Sequence, residues 1–170
     1  MISNSERQAQ IKTQLTASER PISASAFAKK FGVSRQSIVG DVALLRAQGE
    51  DIVATPRGYE YQQTLQNTAV LAVQHTPEQM GTELLLLVDA GVQVLNVIVD
   101  HPVYGELRGE LMLKSANDVQ HFIRKVTTSQ AHLLSELTQG VHLHTIAFDD
   151  VQQLTHVRDQ LKAAGFLYEG

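Results

Sequence analysis

The sequence predicts an α+β protein of two small domains: a winged helix-turn-helix over residues 1–61 and, after a linker at 62–68, a split βαβ (ferredoxin-like) sheet domain over 69–170. Three observations carry this expectation. Apolar residues recur at helical spacing in the first 47 residues and then give way to an alternating run, Asp51-Ile-Val-Ala-Thr55, closed by a Pro56-Arg57-Gly58 turn. Beyond a polar stretch at Gln62 to Asn67, segments of strand and helix character follow in the order β-α-β-β-α-β-α. Charge divides at the same place: residues 1–61 hold eight Lys/Arg against six acids, whereas 62–170 hold six against twelve. The first part tolerates a polyanion and the second repels one.

The elements follow in order. Ser3 and Glu6 have the spacing of a capping box, and Ile11 and Leu15 stand on one face of the helix they open, about residues 4 to 17. After Arg20-Pro21, Ser23 can cap a short helix in which Phe27 and Phe31 face inward, and Gly32 supplies the turn. Ser34 caps a third helix whose Ile38, Val42 and Leu45 must point to the core. A helix so placed enters the major groove by its N-terminal end, so Ser34, Arg35, Gln36 and Ser37 are the expected DNA contacts. The hairpin after it is a wing, with Arg57 at its tip and Tyr59 beside it as further candidates. Gly40 is anomalous inside a helix, and either close approach to DNA or simple tolerance accounts for it.

In the second part, Ala69 to Gln74 reads as a strand, and Thr76-Pro-Glu-Gln79 starts a helix that ends at Gly91. Val92 to Val99 and Leu107 to Leu113 are the next strands. Ser115 caps a helix to about Thr127, Val141 to Phe148 is a fourth strand, and Asp149 or Asp150 caps a last helix stopped by Gly165.

Composition removes several chemistries. Without cysteine there are no disulfides, thiolate metal sites or cysteine nucleophiles, which fits a reducing cytoplasm. The longest apolar stretch, Leu84 to Val88, is far short of the roughly 20 residues of a membrane span, so a soluble, cytoplasmic chain is expected.

The histidines are distinguished by spacing. His142 and His144, two apart on a strand, project to one face roughly 7 Å apart along the chain. The pair alone is a weak signal. In a split βαβ sheet, however, the first and fourth strands are neighbours, which brings His75 at the end of the first strand, and Glu83 on the helix after it, toward the pair. Three imidazoles and a carboxylate suit Zn, Ni, Co, Fe or Mn; solvated or internally satisfied histidines are the plainer alternative. His121, His132 and His156 read as surface residues. The turn Asp100-His-Pro-Val-Tyr-Gly-Glu106 offers His101, Tyr104 and Glu106 as ligand-pocket residues, or is simply a hairpin loop.

Taken together, Val33-Ser-Arg-Gln36, Asp41 to Gly49, Ala54-Thr-Pro-Arg-Gly-Tyr59, His101-Pro-Val-Tyr-Gly-Glu106 and Leu137 to His144 resemble the niacin-responsive transcriptional repressors, which join a winged helix to a 3H domain. The resemblance covers nearly the whole chain. It implies a non-enzymatic repressor of niacin-uptake or NAD-biosynthesis genes with nicotinic acid as corepressor. It also implies a metal site, nickel or zinc, at His75, Glu83, His142 and His144. A small aromatic anion would use an open metal position, with His101 or Tyr104 as hydrogen-bond partner. Reading two half-sites about 34 Å apart on double-stranded operator DNA calls for a homodimer. Gly40 departs from the larger residue of that family, which leaves base preference open. The rival readings are a metalloregulator whose signal is the metal itself and an enzyme with a metal-bound water; no nucleophile motif supports the enzyme.

Overall fold

Ser3 opens the first helix as its spacing with Glu6 requires: the Ser3 hydroxyl accepts the Glu6 N–H, and the Glu6 carboxylate accepts the Ser3 N–H at 2.9 Å. The computed structural model describes residues 2–62 and 67–169, which fold as two compact units, Met1–Thr64 and Leu65–Gly170. Of the linker expected at 62–68, residues 63–66 lie outside the described residues.

In the first unit, α1 (Asn4–Ala17), α2 (Ala24–Phe31) and α3 (Arg35–Ala47) begin at Ser3, Ser23 and Ser34, whose hydroxyls each accept a main-chain N–H three residues on. Gly32 ends α2 in the left-handed conformation, φ 66. Ile11, Leu15, Phe27, Ile38, Val42, Leu45 and Ile52 fill the core. β1 (Ile52–Thr55) and β2 (Gly58–Tyr61) form a hairpin with a two-residue turn, and Ile22 adds a short third pairing by exchanging two main-chain bonds with Tyr59 at 2.9 and 3.0 Å.

One member of this core was not foreseen. Asp41 lies on the inward stripe of α3 between Ile38 and Val42, and Arg7 of α1 meets it with Nε 2.5 Å and Nη2 3.1 Å from its two carboxylate oxygens. Gln8 Nε2 donates a third hydrogen bond at 3.1 Å. Removing one partner of a buried ion pair strands the other's charge. Asp41→Ala is therefore expected to cost the first unit about 3–5 kcal/mol, read as its urea midpoint; an unshifted midpoint would contradict the pairing.

In the second unit, β3 (Thr68–Gln74) leads through a 3-10 turn, Pro77–Gln79, into α4 (Met80–Asp89). β4 (Gln93–His101) and β5 (Gly105–Leu113) make a hairpin, followed by α5 (Ala116–Ser129), β6 (Val141–Ala147) and α6 (Val151–Ala163). The sheet is antiparallel throughout, in the order β3-β6-β4-β5. β3 and β4 are thus parallel and flank β6 with α4 crossing between them, which is the split βαβ unit the sequence predicts.

The ferredoxin-like strand order is not found. That order would set the fourth strand at an edge and the third in the interior. Here β6 is interior and β5 is the edge. β6 buries His142, His144, Ile146 and Ala147, while β5 carries Glu106, Arg108 and Glu110, side chains that an edge tolerates and a centre does not. The other edge, β3, is closed by the end of the chain: Phe166 O accepts the Gln74 N–H at 2.8 Å and Ala72 O accepts the Tyr168 N–H at 2.9 Å. Leu71, Val73, Leu84, Leu87, Leu113, Ile146 and Leu161 form the core between sheet and helices. Among the described residues no helix is long and apolar enough to cross a membrane.

Candidate metal centre and DNA-reading helix

Register brings the histidines together. Val73 pairs with His142 and Leu71 with His144, so both imidazoles leave β6 on the face that α4 covers, and His75 follows immediately after β3. Glu83 sits in the first turn of α4, 1% exposed, beneath all three. Its Oε2 is 3.2 Å from His75 Nε2, and its Oε1 is 2.7 Å from His144 Nε2 and 3.9 Å from His142 Nε2. His142 and His144 approach through their Nε2 atoms at 3.2 Å.

The opposite ring nitrogens settle which atoms face the centre. Each Nδ1 lies against a main-chain carbonyl, which only accepts: His75 on Thr76 O at 2.8 Å, His142 on Gly140 O at 2.8 Å, His144 on Asn96 O at 2.7 Å. Each Nδ1 therefore carries a hydrogen, and in the neutral rings each Nε2 presents a lone pair. Three lone pairs and a carboxylate then converge in a buried space. Glu83 Oε1 accepts no hydrogen bond there, despite its short approach to His144. Acceptors packed this closely require a cation or protons among them, and carbonyl-anchored imidazoles are the usual outer support of a metal ligand. The ligand atoms of His75, Glu83 and His142 all lie within 4.8 Å of one another, and this donor set fits a divalent ion.

The electrostatics agree. Burial pushes the His142 imidazole down to about 4, with the neighbouring His144 adding to the shift. Burial also works against the charged forms of His75 and His144, but Glu83 outweighs it, and both are raised. Burial would raise Glu83; the surrounding imidazoles overcome it and hold the carboxyl far below its usual range.

Beside the cluster lies a cavity of about 240 Å³, lined by all four of these residues and walled by Met80, Leu84, Leu111 and Phe122. The 3-10 turn Leu134–Thr138 supplies its remaining side, with His132, itself exposed, also on the lining. The hairpin residues expected in a ligand pocket are not brought to this cavity. His101 and Tyr104 stand at the β4–β5 tip, where Tyr104 is 75% exposed and His101 Nδ1 accepts the Val103 and Tyr104 N–H groups. Glu106 borders a second cavity with Asp100, Leu143 and His142, the last of which also lines the first. His101 and Glu106 belong to the last paired positions of β4 and β5, and Tyr104 lies in the turn between them. His121, expected at the surface, is half-buried on α5.

In the first unit, Arg35 and Gln36 are exposed on the first turn of α3. Ser34 caps that turn by accepting the Ser37 N–H, and the two hydroxyls are 2.9 Å apart. Arg57 is exposed on the hairpin turn, and Tyr59 is half-buried where its main chain meets Ile22. Gly58, φ 135, is required here, because a Cβ would fall 2.6 Å from the Ile22 carbonyl carbon. Gly40 is exposed, with no atom within 4 Å of a built Cβ, so nothing in the unit itself demands glycine.

Two family patterns match: an HTH domain over residues 7–60 and a 3H domain over residues 68–170. The chain is 40% identical over 166 residues to the transcription repressor NadR of Bacillus subtilis, covering 95% of this chain and 92% of that one. It is 41% identical over 165 residues to the probable transcription repressor NiaR of Thermotoga maritima, covering 96% and 94% respectively. With both domains matched nearly end to end, the chain belongs to the niacin-responsive transcription repressor family, whose role is DNA binding rather than catalysis.

Proposed function

We propose that the chain is a cytoplasmic, homodimeric repressor of niacin-uptake or NAD-biosynthesis genes, with nicotinic acid as corepressor and nickel or zinc held by His75, Glu83, His142 and His144. Residues 1–61 read double-stranded operator DNA and residues 69–170 sense the ligand. The observation that carries this reading is the cavity: about 240 Å³, apolar on its walls and bounded on one side by the Nε2 atoms of the cluster. Drug-sized pockets run from roughly 300 to 1,000 Å³, so this one suits a single aromatic ring. A divalent ion in the cluster would offer a coordination position to the carboxylate or ring nitrogen of a pyridine carboxylate. Met80, Leu84 and Phe122 take the ring faces. Ligand bound there favours the arrangement of the dimer that matches two half-sites, a shift in population set by differential affinity.

Calorimetric titration of nicotinic acid into metal-loaded and metal-stripped protein, with nicotinamide as control, tests this. Saturable binding of the acid to the loaded form alone is expected. Binding to neither form, with DNA affinity following the metal by itself, would replace the reading with a metalloregulator.

On the DNA side, Ser34 and Ser37 fix the helix N-terminus against a phosphate, Arg35 and Gln36 reach base edges, and Arg57 with Tyr59 follows the backbone at the wing. Arg35→Ala is expected to weaken operator binding about tenfold or more and to relax base preference. Arg57→Ala should weaken all sequences alike and lower the salt dependence by about one ion. Anisotropy titrations at several salt concentrations distinguish the two; unchanged affinity in both variants would remove this surface from the interface.

A further inference from the structure

The orientation of His144 traces to one residue on the neighbouring strand. Between Val94 and Ile98 the β4–β6 register slips, so that three β4 residues stand opposite two of β6. A second slip, against β5, lies across from the same segment and puts Met112 at φ 51. Asn96 lies in the unpaired stretch on the β6 side and borders the slip on the β5 side, where it pairs with Glu110, and it is fully buried.

Both of its oxygens are engaged. The Asn96 carbonyl accepts the hydrogen on His144 Nδ1 at 2.7 Å, and its side-chain Oδ1 accepts the main-chain N–H of Thr145 at 2.9 Å. Its Nδ2 has no hydrogen-bond partner among the described residues. An amide buried with an unmet donor is unfavourable, and an aliphatic residue would fill the same place without that cost. What an aliphatic residue lacks is the acceptor that ties β4 to β6 one residue beyond the histidine.

We propose that Asn96 is the positioning residue of the cluster: its side chain pins the bulge to Thr145, and its carbonyl thereby keeps hydrogen on His144 Nδ1 and turns Nε2 into the cluster beside Glu83. Tighter metal binding is the consequence, and that part rests on the metal reading above; the hydrogen on His144 Nδ1 belongs to the protein with or without an ion.

Nitrogen-15 NMR of the histidine rings in the metal-free full chain, at an alkaline pH beyond which the ring signals no longer change, since Glu83 raises the proton affinity of His144, tests the tautomer directly, with zinc affinity measured alongside. His144 is expected to carry its hydrogen on Nδ1 in the native chain and in Asn96→Asp, which keeps the acceptor. Asn96→Leu is expected to mix the tautomers and to weaken zinc binding about 10–100-fold. Hydrogen on Nε2 in the native chain overturns the proposal, and this reading needs no variant to fold. An unmixed tautomer and native zinc affinity in Asn96→Leu overturn it as well. If the native chain takes up no zinc while the tautomers behave as expected, the metal reading fails and the role of Asn96 stands.

Discussion

Replacing His142 and His144 together by alanine is expected to lower divalent-metal affinity by more than about 100-fold, beyond what the loss of outer support alone costs a metal site. Operator binding should then become indifferent to nicotinic acid. The two imidazoles supply half of the donor set, and Glu83, 1% exposed, would be left facing His75 alone. Both side chains lie on the cavity lining, so the same change also reshapes the ligand site. Equilibrium dialysis of metal, with anisotropy titration of operator DNA with and without the acid, reads both effects. A ligand response that survives loss of the metal would uncouple the two. Metal binding releases protons from imidazoles, and Glu83 raises the proton affinity of His75 and His144. Native metal affinity should therefore fall as pH drops through the histidine range, and the double variant, which keeps only His75 of the three imidazoles, should show a weaker dependence.

The second large effect is expected from a residue that touches no ligand. Gly140, φ 91, precedes β6, and a Cβ there would stand 2.4 Å from the His75 carbonyl oxygen. A left-handed backbone at a non-glycine residue costs about 1–3 kcal/mol, and this contact is with main chain, which cannot rotate aside. Gly140 O also holds His142 through Nδ1. Gly140→Ala is thus expected to destabilise the second unit by about 3 kcal/mol or more, among the larger single-residue effects. Metal affinity should decline with it, because His75 and His142 are displaced by the same movement. A melting temperature and metal affinity equal to the native chain's would refute the close approach.

Local chemistry explains what was legible in the sequence. Ser3, Ser23, Ser34, Ser115 and Asp150 cap the helices they were expected to cap, because capping is decided within four residues. The convergence of His75, Glu83, His142 and His144 needed one long-range premise, that first and fourth strands are neighbours, and β3 and β6 are. The full strand order was not legible, since alternation identifies a strand but not which of its edges is covered. The exposed first turn of α3 was visible through its cap and the inward stripe behind it. Asp41 on that stripe was a readable anomaly, a charge at a core position, but its partner Arg7 lies 34 residues away. The cavity wall from the Leu134–Thr138 turn and the bulge at Asn96 have no periodic signature. The hairpin at His101 to Glu106 drew attention by its donors and acceptors, yet where it points depends on the sheet around it.

The three carbonyls that hold the imidazoles, on Thr76, Asn96 and Gly140, belong to the main chain, and main chain is invisible to side-chain replacement. An alanine scan of this domain is therefore expected to reveal that support only at positions 96 and 140, where the carbonyl's placement depends on the side chain or its absence, and to miss it at Thr76. Drift in sequence around the site faces the same asymmetry: Thr76 can change freely as far as its carbonyl is concerned, whereas the anchors at positions 96 and 140 hang on an amide and on a missing side chain. The geometry of the cluster thus depends on two positions, 96 and 140, whose side chains are not part of it.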